Sequence, residues 1–241
     1  MSDWKAKRFW KEAAVVETDG GHTVELDGRP VKTPAKRALV LPSAAMPSDP
    51  HSILNAQEGE IKPHLMPVTK TANSAIDKVS VQHDEVAELL ADYGDSDLLC
   101  YRADSPEERV ARQSQDWDPM LEWAANTLGA RLAPRTGIMH APQDPTVLAI
   151  LREKTFALDN FELAAFHDLV SLSGSLILGF AATGGTYDAE DLWNISRLDE
   201  IWQAEQWGKD DAAETRRYSV AEIKKASFLH AARMFSLCQP G

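Results

Sequence analysis

The residues able to do chemistry are few, and their spacing argues against a catalytic centre. In SRLDEIWQAEQWG, residues 196–208, Asp199 and Glu200 are adjacent. On a helix, neighbours project about 100° apart, so these carboxylates diverge and make neither an acid/base pair nor a metal clamp. The seven histidines are scattered. His167, next to Asp168, reads as a core or boundary residue of a helix rather than a base. SLSGS, residues 171–175, lacks the Gly-x-Ser-x-Gly order and the preceding strand of a nucleophile elbow. There is no phosphate-binding Walker loop, no Gly-x-Gly-x-x-Gly and no His-Glu-x-x-His. Cys100 and Cys238 belong to no Cys-x-x-Cys and no zinc spacing, and are expected as reduced thiols. No catalytic residue, metal ligand or cofactor is assigned.

The same stretch has a different use on a helical wheel. If 188–207 is one helix, Leu192, Ile195, Leu198 and Trp202 form an apolar core stripe with Ile201 at its edge. Trp193, Glu200 and Trp207 are seven apart, so they fall within about 40° of one another on another side. Arg197 stands three before Glu200 and can pair with it, and Gln203 lies between. Two aromatics around a carboxylate make either a second packing layer or a protein-binding face, since Trp and Arg are enriched at binding hot spots. The second reading gives the candidate partner-binding residues Trp193, Arg197, Glu200, Gln203 and Trp207. Asp199 and Gln206 fall at the edge of the core stripe and are expected to make structural hydrogen bonds.

The elements that must position this helix read as α+β. EAAVVE and HTVEL flank TDGG, a hairpin signal, Asp27-Gly28 marks a second turn, and ALVLP at 38–42 is a fourth short strand. Pro47 and Pro50 interrupt 43–62, leaving a loop or short helix through 53–60. Helices follow in TKTANSAIDKV and HDEVAELLADY, and DLLCY is one more possible strand. Ser105-Pro106-Glu107-Glu108 starts a helix that Pro119 should kink or restart. Helices are then expected over 145–157, from about 160, over 188–207 and over 210–237. The division is a small antiparallel β-containing domain, 1–75, followed by a larger, mainly α-helical domain, 76–241.

Charge narrows the partners. Acids outnumber bases 37 to 25, a net charge of −12. Such a surface repels phosphate backbones and anionic lipid, so neither nucleic acid nor a membrane surface is an expected partner. The uncharged run at 169–187 is shorter in its apolar part than the roughly 20 residues a bilayer needs. It reads as a buried central helix, with Ser171, Ser175 and Gly179 as a stripe of small residues for close packing. No secretory signal or organelle presequence is visible, so a cytoplasmic, bacterial setting is expected.

Longer blocks carry more information than any motif. RFWKEAAVVETDGGHTVELDGRPVKTPAKRALVLP, QEGEIKPHLMPVTKTANSAID, DLLCYRADSPEERVARQSQDWDPMLEWA, FELAAFHDLVSLSGSLILG and SRLDEIWQAEQWG resemble, in order, the assembly chaperones that escort the alpha subunit of F-type ATP synthase. The resemblance covers most of the chain. It implies a non-enzymatic chaperone that holds the free alpha subunit and masks its sticky interface until beta replaces it, with no small-molecule substrate. One departure stands out. Family members carry a Glu-Trp pair in a helix after the sheet, where this chain has SAAMPSDPHSILNAQ, with Leu54 about where the tryptophan would be. The alternative is a hydrolase-type enzyme with a carboxylate site among the helices, which would need a deep pocket holding two facing carboxylates of perturbed pKa.

Overall fold

The computed structural model describes the backbone of residues 8–49, 52, 65–207 and 211–239, and their side chains except those of 207 and 211–219. The fold is α+β: a small N-terminal antiparallel sheet followed by a helical region. The chain forms two compact units. One comprises Met1–His83, Asp159–Ala165 and Arg233–Gly241; the other comprises Asp84–Leu158 and Phe166–Ala232.

The first unit is built on β1 (Ala13–Thr18), β2 (Gly21–Leu26) and β3 (Arg29–Pro30), in the order β1-β2-β3. Val15 pairs with Val24 and Ala13 with Leu26. The turn between β2 and β3 places Asp27 at φ 51° and Gly28 at φ 74°. Two positive φ values make the primed turn whose twist matches its strands, which is why Asp-Gly stands there. Val24, Leu26 and Trp10 close a small core with Ala13 and Val31. The expected fourth strand is not a strand. Leu41 and Ala38 contribute only isolated bridges, to His22 and Lys32. Leu41 and His22 exchange backbone hydrogen bonds at 2.7 and 2.9 Å and Leu39 donates to the Val31 carbonyl, so 38–42 keeps separate bonds to the sheet without forming a continuous ladder. Thr33 and Ala35, just before it, donate to the Asp77 carboxylate at the end of α2 (Pro67–Asp77). SAAM gives only the single turn α1 (Ala45–Ser48), and the expectation for 53–60 lies outside the described residues.

The second unit holds α3 (His83–Ala91) from Asp84 onward, α4 (Glu107–Trp123), α5 (Pro145–Phe156), α7 (Leu176–Thr183), α8 (Ala189–Ser196) and α9 (Leu198–Trp207), with parts of α6 (Asn160–Ser173) and α10 (Asp211–Cys238). A short 3-10 turn fills most of DLLCY, so only Tyr101–Arg102, β4, is strand; it pairs in parallel with β5 (Arg135–Thr136). α4 starts at Glu107 with Pro106 in the cap position, because the Ser105 hydroxyl bonds Asp104 instead of capping. α4 also runs through Pro119 without restarting. Buried Trp117, Met120 and Leu121 anchor it on both sides of the missing N–H. α5 begins as its sequence asks, with Asp144 accepting from the Thr146 N–H and Pro145 in the first turn.

Two further expectations fail at helix breaks. The uncharged helix divides at Gly174, whose φ is +76°. α7 alone is the buried central helix, since Leu176, Ile177, Leu178, Gly179, Phe180 and Ala181 are all buried. The stripe of small residues does not form. Ser171 is exposed and Ser175 caps α7. Gly179 keeps a close-packing role alone: a Cβ there would lie 2.7 Å from Val170 and 3.1 Å from Phe166. The second break separates α8 from α9 at Arg197, with φ −104° and ψ 9°.

Candidate partner-binding site

The break at Arg197 is capped by three donors. The Ser196 hydroxyl donates to the Trp193 carbonyl at 2.6 Å. The Arg197 N–H donates to the carbonyls of Asn194 and Ile195, and the Trp117 indole N–H to that of Ile195 at 3.0 Å. Across the break the Arg197 carbonyl accepts from the Ile201 N–H, which begins α9. The last carbonyls of α8 are thus satisfied without a continuing helix.

This break redirects the wheel. Trp193, predicted to share a face with Glu200, is only 4% exposed, and its ring packs 5.6 Å from that of Phe228. The physical reason is that Arg197 leaves helical geometry, so the seven-residue spacing no longer measures angle. The Arg197 guanidinium covers the Trp193 ring from 5.0 Å. One of its nitrogens donates to the Ser173 carbonyl at 3.3 Å, and another to both Glu200 oxygens at 2.9 and 3.1 Å. The Glu200 side chain is 65% exposed, and Gln203 is exposed beyond it. The structure therefore brings Trp193, Arg197 and Glu200 into one stack, from core to solvent. Trp207 closes α9, and its side chain is outside those described.

Beside this stack is a constellation that sequence spacing did not identify. Asp199 accepts from Arg109 at 3.0 and 2.9 Å and from Gln113 at 2.8 Å. Gln113 in turn accepts from the Ala103 N–H at 2.8 Å. Arg112 reaches Glu205 at 2.8 Å. Asp199 thus makes the structural hydrogen bonds expected of it and raises the pKa of Arg109 by bonding it. Arg109 and Gln113 are four apart on α4, which marks a shared face. Nothing in the sequence pairs that face with a residue 86 positions on.

The polar groups at the other break are also structural. Asp97, fully buried, accepts from the N–H groups of Leu99 and Ile177 and from the Ser175 hydroxyl. Burial pushes its carboxyl up to about 6 against the pull of those donors. Ser173, the central residue of SLSGS, is buried and donates to the Leu169 carbonyl at 2.6 Å. The acid pair Asp199 and Glu200 does not converge, since each is taken by a different arginine. Burial pushes both cysteine thiols up to about 12. His167 is exposed beside Asp168 at 3.1 Å. Among the described residues, no group of three or more His, Cys, Asp or Glu could hold a metal, and no helix is long and apolar enough to cross a membrane.

Comparison with known proteins gives this geometry its context. Residues 7–125 match the family model described as ATP12 chaperone protein. The crystal structure of Atp12 from Paracoccus denitrificans is similar over 98% of this chain and all of its own, with TM-score 0.92 and 45% identity. A mutant of P. denitrificans Atp12p is similar over 99% of this chain and all of its own, with TM-score 0.92 and 44% identity. The mitochondrial protein atp12 of Schizosaccharomyces pombe is 28% identical over 223 residues, 86% of this chain and 76% of that protein. With near-complete coverage at such identity, the chain belongs to the ATP12 family of ATP synthase assembly chaperones.

Proposed function

We propose that this protein binds the free alpha subunit of F-type ATP synthase and masks its subunit interface until the beta subunit takes its place. The observation that carries the reading is the likeness to Atp12 over essentially the whole chain. An unassembled subunit exposes apolar surface that aggregates, and a cover that binds less tightly than beta prevents this and then yields without a catalytic step. Ile138 and Met139, 92% and 81% exposed, offer apolar contact of the kind such a client needs. On the stack described above, Arg197 and Glu200, with Gln203, are the client-facing residues and Trp193 supports Arg197 from beneath; Trp207 is a further candidate on its sequence position alone. The setting is the bacterial cytoplasm.

Co-expression with the alpha subunit, with and without beta, tests this. Soluble alpha and an alpha–chaperone complex on size-exclusion chromatography are expected, and the complex should dissolve when beta is present. Alpha that stays insoluble and uncomplexed would overturn the reading.

A further inference from the structure

The helices α4, α8 and α9 line a pocket of about 230 Å³. The apolar part of its wall is Ile195, Leu198 and Ile201, of which Leu198 is buried. The polar part includes Asp116, Asp191 and Asn194. Neither Asp116 nor Asp191 has an ion-pair partner among the described residues. The two arginines of α4 are paired elsewhere: Arg112, which also lines the pocket, with Glu205, and Arg109 with Asp199. Two uncompensated carboxylates are therefore left beside an apolar wall.

That combination selects its occupant. Lysine and arginine pair a hydrocarbon stem with a charged head, so the stem would lie along Ile195 and Ile201 while the head meets the carboxylates and the Asn194 amide oxygen. An acidic or purely apolar guest would desolvate Asp116 and Asp191 without compensation. A protein of net charge −12 already favours a basic approach. We infer that the pocket receives a lysine or arginine side chain of the client subunit, an inference that rests on the alpha-subunit reading above. α9 carries both Glu200 and part of the pocket wall.

The test is binding of purified alpha subunit to full-length wild type, to the double variant Asp116→Asn/Asp191→Asn, and to Asn194→Asp, at low and physiological salt. Far-UV circular dichroism confirms that each variant is folded. The double variant should bind about tenfold more weakly and lose much of the salt dependence. Asn194→Asp adds a carboxylate and should tighten binding severalfold, a direction that misfolding cannot produce. Wild type that binds alpha while both variants bind it equally well overturns the pocket's role alone. Wild type that binds no alpha overturns the client assignment and this occupant with it.

Discussion

Two helix breaks, one buried and one open to solvent, organise the helical unit. At Gly174 the ends of α6 and α7 are sealed by groups with almost no access to water. Asp97 and Ser175 take the first N–H groups of α7, and Leu98 donates to the Gly174 carbonyl. At Arg197 the end of α8 is sealed by the buried Ser196 hydroxyl and Trp117 indole, while the Arg197 side chain reaches outward to Glu200 in solvent. The breaks touch, because Arg197 donates to the Ser173 carbonyl. A buried break is held by groups that cannot be removed one at a time. An exposed break leaves its charged groups free to meet a partner at small cost to the fold.

Substitutions graded by burial would break or sharpen this contrast. Asp97→Ala orphans the N–H groups of Leu99 and Ile177 and the Ser175 hydroxyl. It should lower unfolding stability by roughly 3–5 kcal/mol in urea titrations. Gly174→Ala forces a Cβ into φ +76°, with only Leu98 nearby at 3.8 Å. The cost should be the backbone strain alone, about 1–2 kcal/mol by the same measurement. Arg197→Met removes the bond to Ser173 and the pair with Glu200, and should cost about 1 kcal/mol. A larger loss there would mean that the exposed break is as structural as the buried one. Glu200→Gln should change stability by at most about 0.5 kcal/mol. Glu200→Lys should leave the fold intact while reducing capture of the alpha subunit; unchanged capture would remove Glu200 from the client surface.

The pH response separates the breaks in another way. The Asp97 carboxyl is raised from 3.8 to about 6, so the folded state holds that proton more tightly than the unfolded chain. Its protonation therefore favours folding, fully below pH 3.8, and this contribution is lost as pH rises through about 6. The stability of wild type relative to Asp97→Asn should fall between about pH 4 and 6 and level off above. A flat difference across that range would show that Asp97 is not the buried acid described.

Local chemistry made much of the fold legible. Asp27-Gly28 specified its turn, Asp144-Pro145 its helix start, and the uncharged run its burial. The long blocks specified the family. The breaks were hidden for a physical reason. Gly174 was visible as a residue, but an αL break there depends on Leu98 and Asp97, which lie more than 70 positions earlier and meet α7 only in the folded unit. At Arg197 nothing local opposes a continuous helix; the Trp117 indole N–H that donates to the Ile195 carbonyl at the break arrives from α4. Of the candidate site, the pairing of Arg197 with Glu200 followed from a spacing of three residues, whereas the depth of Trp193 did not. A wheel assumes an unbroken axis, so one residue outside helical geometry moved the tryptophan into the core and left the carboxylate at the surface. Sequence alone determined which side chains and helix ends are present, because those preferences act over a few residues. Tertiary structure decided where the helices stop and which faces meet water, because the donors that permit each break come from distant segments.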